Sequence, residues 1–373
     1  MIEILNQLEN IEDIRQQYKV KHSLKDIVGI VLIATLGNAN EWTEIEIFAK
    51  EHEDFLREYF ELKNGIPSHD TISRVMGFIE PKVIQDMYSK WNEYVSQGEG
   101  ERIKKILNID GKTMRGSSNI NKKALHVLTV WSDEDGIGLG QKLVDDKTNE
   151  ITMIPDLLDE ISIKDSIITM DAMGTQVKIA EKIISKKGSY VLAVKGNQGN
   201  LFEEIKTYFE DEEFLKSMKK SKNYKRTVEK NRSQIEKREY YQTEDIKWMQ
   251  EKKKWKKIKS IGMVQNTIEK DGKISIDRRY YISSESVDIE LFAKCCRGHW
   301  AIESMHWHLD VTFKEDSSKI LDKIGNQNLN IIRKWALSIL KTLDMSDKKC
   351  SLKSKRFRIS INPKKYLKDM IEM

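Results

Sequence analysis

Cysteine is scarce in this sequence, and its placement excludes whole classes of protein. The chain of 373 residues has 3 cysteines, of which Cys295 and Cys296 are adjacent and Cys350 is distant. Cysteines so placed cannot form a disulfide framework or the spaced pairs of a zinc knuckle, which excludes a small secreted protein stapled by disulfides. We therefore expect a reducing compartment, the cytoplasm.

Proline, glycine and long apolar runs are also few. With 4 Pro, 19 Gly and 39% hydrophobic residues, the chain is not collagen-like, mucin-like or wholly disordered. The longest apolar run, 27–36, is about half of the roughly 20 residues that a membrane-spanning helix needs. Residues 1–10 lack the basic flank and cleavage site of a signal peptide. The sequence predicts a globular protein of two or three domains with no membrane partner.

Charge is distributed unevenly along the chain. The formal net charge is +5, yet residues 1–100 carry 10 basic and 18 acidic side chains. Residues 216–259 carry 17 basic and 6 acidic side chains, and residues 348–368 carry 9 basic and none acidic. Aromatic residues interrupt both basic segments, at Trp255 and Phe357, as in surfaces that bind nucleic acid. Taken alone, such runs are more often solvated surface, so both explanations stay open at this point.

The apolar pattern divides the chain into a helical region and a mixed region. Residues 1–98 repeat apolar positions at helical spacing, and Ser68 is a candidate N-cap after the break at 65–67. The short helix that follows either enters a DNA groove or packs within a bundle. Residues 99–373 alternate short apolar runs with helical stretches, which predicts an α/β domain. Within it we expect a β-strand insertion at about 222–286, a helix over 288–316 and a basic tail over 345–373.

Two predicted strands end in an aspartate that small residues follow. Asp110 closes the apolar run 106–109, and Asp171 closes the run 167–170. A single aspartate at such a position is most often a turn former or a helix cap. Two of them on neighbouring strands would instead form an acidic site at the sheet edge, where α/β proteins bind ligands. Hard carboxylate oxygens of this kind prefer Mg²⁺ or Mn²⁺.

A third acidic residue lies on the predicted helix over 288–316. Four ionisable residues share one polar stripe of this helix, at about 100° per residue: His299, Glu303, His306 and Asp310. Apolar residues flank the stripe on both sides, among them Trp307 and Val311. We therefore expect a buried helix that turns its ionisable stripe inward, with Glu303 as a metal ligand.

Several other kinds of site lack their sequence signatures. The histidines do not have the spacing of a zinc-protease motif, and no glycine-rich loop has P-loop or Rossmann spacing. Residues 116–120 lack the second glycine of a nucleophile elbow. These absences argue against nucleotide-driven motors and α/β-hydrolases.

Four segments form an ordered set of motifs. They are Ile109-Asp110-Gly111-Lys112-Thr113-Met114-Arg115-Gly116-Ser117, Met170-Asp171-Ala172-Met173-Gly174-Thr175-Gln176, Val194-Lys195-Gly196-Asn197-Gln198, and the stretch that runs from Arg297-Gly298-His299-Trp300 through Glu303 to Asp316. Together they resemble the DDE transposases of bacterial insertion sequences, in the ISAs-type or H-repeat-associated branch. Residues 65–71 are similar to the domain associated with that branch.

The resemblance implies both an architecture and a reaction. The architecture is a ribonuclease-H-like core interrupted by a β insertion and preceded by a helical domain. Asp110, Asp171 and Glu303 would be the catalytic residues and would bind two Mg²⁺ or Mn²⁺ ions, which suit in-line attack on a phosphodiester. The implied function is hydrolysis and strand transfer at insertion-sequence ends. The implied partners are double-stranded DNA, as terminal inverted repeats and target, and a second copy of the chain in the DNA complex.

Basic and polar residues near these motifs are candidates for DNA contact. Lys112, Arg115 and Lys195 lie beside the predicted strand ends, where cations would neutralise phosphates. Once a DNA substrate is implied, the basic segments become candidates as well. The full set of predicted contacts is Lys112, Arg115, Lys195, Asn197, Gln198, Arg297, His299, Lys314, Lys253, Lys254, Trp255, Lys256, Lys355 and Arg356.

Three other functions use part of the same pattern. A stand-alone ribonuclease-H-like DNA nuclease would have the same site. A catalytically idle, DNA-binding relic of a transposase is a second alternative, although the intact Asp110, Asp171 and Glu303 count against it. A metal-dependent phosphatase would use the strand-end aspartates but leaves the basic segments and the long helix unexplained.

Overall fold

Helices fill the N-terminal part of the chain. The computed structural model describes residues 1–11, 13, 15, 16, 18, 20–96, 104–118, 123–132, 134–144, 149–231, 234–345 and 350–372. The first helices are α1 (Ile2–Asn6), α2 (Leu24–Leu36), α3 (Trp42–Glu51), α4 (Glu53–Leu56), α5 (His69–Met76) and α6 (Pro81–Ser96). The predicted cap is confirmed, because the Ser68 side chain accepts a hydrogen bond from the Thr71 N–H at the start of α5.

A single mixed sheet organises the rest of the described chain. Its strands are β1 (Lys105–Met114), β2 (Leu125–Ser132), β3 (Ile137–Val144), β4 (Ser166–Met170), β5 (Ser189–Val194), β6 (Tyr224–Asn231), β7 (Gln234–Thr243), β8 (Ser260–Lys270) and β9 (Lys273–Ser283). Their order is β3-β2-β1-β4-β5-β9-β8-β7-β6. β1 pairs antiparallel with β2 and parallel with β4, and β4 pairs parallel with β5. This is the arrangement of the ribonuclease H fold, so the predicted fold class is confirmed.

The inserted strands extend the same sheet. β6 to β9 form an antiparallel meander, and β9 pairs with β5 along residues 191–194. Successive β9 side chains point to opposite faces, so Ile282 joins the core on one face while Tyr281 joins the core on the other. The insertion is therefore packed together with the strands that carry the two aspartates.

Helices cover both faces of the sheet. One face packs against α7 (Glu150–Glu160), α8 (Val177–Ser185), α9 (Asn200–Tyr208) and α10 (Glu212–Met218). On the other face, α11 (Ile289–Trp307) crosses β1 and β4 and reaches the inserted strands β6 and β7. Because α11 crosses β1, which contains Asp110, and β4, which Asp171 follows, it can bring a third acidic side chain close to both.

The N-terminal helices share one core with the end of the chain. α12 (Lys323–Thr342) packs against α2, α5 and α6, and α13 (Leu352–Ile361) packs against α2. α14 (Pro363–Glu372) adds Leu367 and Ile371 to this core. The predicted boundary at 98/99 lies outside the described residues. None of the described helices combines the length and the apolar content that a bilayer crossing requires.

Candidate active site

Asp110 and Asp171 lie side by side on two adjacent inner strands of the sheet. β1 and β4 run parallel with Ile109 opposite Met170, so the next residue on each strand is an aspartate. Neighbouring strands are separated by about 4.8 Å. The two aspartates therefore lie on neighbouring strands, and Asp171 follows the last residue of β4 as predicted. The expectation that Asp110 closes its strand is wrong, because β1 continues to Met114 in its pairing with β2.

Backbone groups fix the orientation of Asp171. Its Oδ1 accepts hydrogen bonds from the N–H groups of Met173 and Gly174, each at 3.0 Å. This side-chain turn ends β4 and holds the carboxylate at the sheet edge without help from another side chain.

The segment after β5 supports the same turn. Asn197 Nδ2 and Gln198 Nε2 both donate to the carbonyl oxygen of Ala172, at 2.8 and 2.6 Å. Both amides were predicted as DNA contacts. The structure gives these two side chains a role in holding the Asp171 turn, while Lys195 beside them is exposed.

Asp110 lies in a concentration of negative charge. Burial raises the pKa of its carboxyl to about 7; the Gly111 N–H opposes that rise, and the carboxylates of Asp171, Glu150 and Glu303 add to it. Carboxylates held this close repel one another unless a cation compensates them. The donors are hard carboxylate oxygens, which is the chemistry that Mg²⁺ or Mn²⁺ prefers.

Glu303 reaches this environment from α11. Gly298 allows the helix to approach β1, because a Cβ at that position would lie 3.3 Å from the Asn108 side-chain oxygen. Ile302 and Met305 are buried beneath the helix, and Glu303 is exposed on its surface. In the described part of the chain, no three His, Cys, Asp or Glu side chains are arranged to hold a metal ion.

The expectation that α11 is buried on both flanks is wrong. Trp307 is 55% exposed and Val311 is 56% exposed, whereas the apolar residues of the other flank, Ile302, Met305 and Leu309, are buried in the core that includes the N-terminal helices. The predicted continuous helix over 288–316 also divides: α11 ends at Trp307, a π-helical turn follows over His308–Thr312, and Lys314 has a positive φ of 51°. The regular helix that carries Glu303 therefore ends nine residues before Asp316.

Two histidines of α11 lie near the aspartates. His306 Nδ1 is 3.5 Å from Asp110 Oδ2. Burial lowers the pKa of His306 to about 3, with Lys334 and Lys112 lowering it further. Burial also lowers the pKa of His299, against the opposing effect of Asp171. Both rings are therefore neutral near neutral pH, so His299 does not offer DNA a positive charge.

A fourth carboxylate near Asp110 was missed by sequence reasoning. Glu150 is the first residue of α7, whose N-cap is Asn149, and its Oε1 lies 2.5 Å from His126 Nε2. A Cβ on Gly111 would be 2.3 Å from the same oxygen, so the Glu150 carboxylate lies directly against the backbone of β1 next to Asp110. The sequence does indicate a helix start at Asn149, because asparagine is a common N-cap. It does not indicate that Glu150, at this helix start, lies beside β1.

Three predicted DNA contacts are wrong because their side chains are buried. Lys112 is 9% exposed, Trp255 is 6% exposed and Arg356 is 0% exposed. Lys112 forms ion pairs with carboxylates. Trp255 packs in the hydrophobic core on one face of the sheet. Arg356 donates hydrogen bonds to backbone carbonyls. Lys355 also serves the fold, since its amine donates to two carbonyls at the end of α12.

The remaining predicted cations lie at the surface. They are Arg115, Lys195, Lys253, Lys254, Lys256, Arg297 and Lys314. Arg297 pairs with Glu229 and Lys254 pairs with Glu251, but both pairs are exposed and therefore weak enough for a phosphate to replace the carboxylate.

Comparisons with protein families and with known proteins give matches over most of the chain. The family described as "Transposase DDE domain" matches residues 101–339, and the family "DDE_Tnp_1-associated" matches residues 5–92. "Putative transposase YncI" of Escherichia coli O157:H7 is 38% identical over 371 residues, which cover 96% of this chain and 92% of that protein. "H repeat-associated putative transposase YhhI" of Escherichia coli K12 is 34% identical over 346 residues, covering 90% of each.

One solved structure also aligns with the chain, but weakly. It is a piggyBac transposase synaptic complex with hairpin DNA, at a TM-score of 0.36 and 12% identity, covering 99% of this chain and 78% of that one. A similarity at this level carries no argument about the fold.

Proposed function

Because the chain belongs to the DDE transposase family, we propose that its chemistry takes place at Asp110, Asp171 and Glu303. Enzymes of this family transfer or cleave polynucleotides and generally use divalent metal ions. The finer reaction that we propose is Mg²⁺-dependent hydrolysis of a phosphodiester at each end of an insertion sequence, followed by strand transfer to target DNA. One subunit of a homodimer would act on each end.

The observation that carries this proposal is the environment of Asp110. Burial raises the pKa of Asp110 to about 7, and the nearby carboxylates of Asp171 and Glu303 add to that rise. A structural aspartate is normally hydrogen-bonded or paired with a cation. Here the ring of His306, 3.5 Å from Asp110 Oδ2, is neutral and does not compensate a carboxylate, so Asp110 becomes fully ionised near neutral pH only when a cation binds beside it.

The side chains around the site have distinct parts in the proposed reaction. When two divalent ions are bound, they would activate the attacking hydroxyl and stabilise the leaving oxygen. Asp110, within β1, and Asp171, directly after β4, would hold these ions, and Glu303 would close the site from the exposed side of α11. Arg115 and Lys195, both exposed beside the strand ends, would bind the phosphates that flank the scissile bond.

The test uses the purified full-length chain and duplexes made from the DNA that flanks its gene. We expect Asp110→Asn, Asp171→Asn and Glu303→Gln each to lower Mg²⁺-dependent nicking and strand transfer by about 10²–10³-fold or more. DNA binding, measured by fluorescence anisotropy, is expected to change little because these residues are not cations. Glu290→Gln is the matched control, since Glu290 is an exposed carboxylate on the same helix.

The outcomes separate the alternatives. Normal nicking by any of the three variants would remove that residue from the site. Nicking by the native chain without strand transfer on paired ends would indicate a stand-alone nuclease. DNA binding with neither reaction, in Mg²⁺ or Mn²⁺, would indicate an idle relic.

A further inference from the structure

Lys112 lies two residues after Asp110 on β1 and faces the segment that follows α11. Its amine is 2.6 Å from Asp310 Oδ1, 2.9 Å from Glu315 Oε2 and 3.4 Å from Asp316 Oδ1. Asp310 belongs to the π-helical turn, and Glu315 and Asp316 directly follow Lys314, whose φ is positive. One buried cation of the catalytic strand therefore contacts three carboxylates of one segment.

Other contacts fasten this segment, residues 310–318, to the same strand. The Arg115 N–H donates to Asp316 Oδ1 at 3.1 Å. Gly116 lies so close that a Cβ there would be 2.3 Å from the carbonyl oxygen of Ser318. The end of β1 and the segment after α11 are thus in direct backbone contact.

The opposite side of the segment is held by α12. Glu315 is 1% exposed; its Oε1 accepts a hydrogen bond from Asn330 Nδ2 at 2.6 Å and lies 3.9 Å from Arg333 Nη1. Burial would raise the pKa of Glu315, but Lys112 and Arg333 outweigh that effect and lower it. Glu315 is therefore ionised, and it depends on Lys112 for its direct ion pair.

Helix geometry connects this anchor to the catalytic carboxylate. Glu303 precedes Asp310 by seven residues, about two helical turns. His306, which contacts Asp110, lies between them on the same side. No break separates α11 from the π-helical turn, so fixing Asp310 restricts both rotation and sliding of the part of the helix that carries Glu303.

We propose that Lys112 is a positioning residue: by binding Asp310, Glu315 and Asp316 it holds the end of α11 on β1 and sets Glu303 against Asp110 and Asp171. This inference rests on the proposed function of those three carboxylates. It also explains a buried lysine in a place where a DNA contact was expected. Loss of Lys112 would leave three carboxylates facing one another and would release the end of the catalytic helix.

The test measures how cleavage depends on the Mg²⁺ concentration and how far Mn²⁺ raises the melting temperature. We expect Lys112→Met to raise the Mg²⁺ concentration for half-maximal cleavage by about tenfold or more, as loss of a ligand-orienting partner does. The increase in melting temperature on adding Mn²⁺ alone, without DNA, should shrink in parallel. Lys104→Met is the matched control, because Lys104 precedes the same strand and forms an exposed pair with Glu285. That variant should keep the native metal dependence.

A second variant covers the case in which Lys112→Met does not fold. Asp310→Asn keeps the size of the side chain and removes only the charge on the π-helical turn, and it should also raise the half-maximal Mg²⁺ concentration. A folded variant of either residue with native half-maximal Mg²⁺ and a native Mn²⁺ response would overturn the proposal, even if its cleavage rate fell. Full activity of Glu303→Gln would instead overturn the proposed function, so the two failures are distinguishable.

Discussion

The guanidinium of Arg356 lies in the interior, between α2 and the turn that follows α11. Its Nη2 donates to the carbonyl oxygens of Thr35 and Ala39 at 2.8 and 3.3 Å, and its Nη1 donates to that of Thr312. Burial, reinforced by the nearby Arg333, lowers the pKa of Arg356 to about 9, so the side chain stays charged at neutral pH. It satisfies carbonyls at the end of α2 that would otherwise be buried without a donor.

We expect Arg356→Met to lower the free energy of unfolding by about 3 kcal/mol, because several buried carbonyls lose a charged donor. Arg356→Lys should lose less, since it keeps the charge but not the planar fork of donors. Urea unfolding followed by circular dichroism measures both. Lys353→Met, on the exposed side of the same helix, should stay within about 0.5 kcal/mol of the native chain. Equal stabilities for Arg356→Met and Lys353→Met would contradict the assigned role.

At the scale of elements, Glu46 joins α3 to the start of α5. Its Oε2 accepts a hydrogen bond from the His69 N–H at 2.7 Å and lies 2.6 Å from His69 Nδ1, while its Oε1 pairs with Lys50 at 2.6 Å. The hydrogen bonds from Lys50 and His69 lower the pKa of Glu46 from 4.5 to about 2. A carboxylate at this position also complements the dipole of α5.

This pKa shift predicts a pH-dependent stability. Because the folded pKa is below the unfolded value, the stabilisation is complete above pH 4.5 and is lost as the pH falls towards about 2. We expect Glu46→Gln to destabilise the chain by about 1–2 kcal/mol near neutral pH and by clearly less near pH 3, as measured by urea unfolding. Glu51→Gln, an exposed residue on the same helix, should show no such trend. A pH-independent difference for Glu46→Gln would refute this account.

The inserted strands also pack against α11. The Trp300 ring lies 4.8 Å from the guanidinium carbon of Arg238 on β7 and 5.1 Å from that of Arg279 on β9. Such cation–π contacts stabilise more when they are shielded from water. Since Trp300 precedes Glu303 by less than one helical turn, strands of the insertion pack directly beside the proposed catalytic carboxylate.

At the scale of the whole molecule, acidic and basic side chains are concentrated in different regions of the chain. The first 100 residues carry 18 acidic and 10 basic side chains, whereas residues 216–259 carry 17 basic and 6 acidic ones. Lys253, Lys254 and Lys256 lie exposed in the loop between β7 and β8. A duplex would therefore be attracted to the insertion and repelled by the acidic helical region.

The salt dependence of DNA binding tests this orientation. We expect Lys253→Gln/Lys254→Gln/Lys256→Gln to reduce the slope of log K against log salt by about 0.9 for each phosphate that the variant no longer neutralises, so by about 2–3 in total. Fluorescence anisotropy over a range of salt concentrations measures this slope. The control is Lys63→Gln/Lys82→Gln/Lys90→Gln, which removes the same charge from exposed positions of the acidic region. Equal slopes for the two triple variants would exclude the insertion as the DNA-binding surface.

The sequence alone determined the α/β class and the strands that contain or precede Asp110 and Asp171, because hydrophobic patterning is a local property. The adjacency of β1 and β4, and the continuation of β1 past Asp110 to Met114, were decided by strand pairing. The ordered motifs also indicated the transposase family, which the matching of residues 101–339 confirmed. The roles of Asp110, Asp171 and Glu303 as metal ligands stay a prediction.

Only the tertiary structure decided which charged and aromatic residues are available at the surface. Lys112 and Glu315 are 203 residues apart, and Arg356 and Thr35 are 321 apart. Burial depends on such distant partners, whereas hydrophobic periodicity reports only on neighbours along the chain. For that reason Lys112, Trp255 and Arg356 were misread as DNA contacts, Trp307 and Val311 as core, and Glu150 was not found beside Asp110.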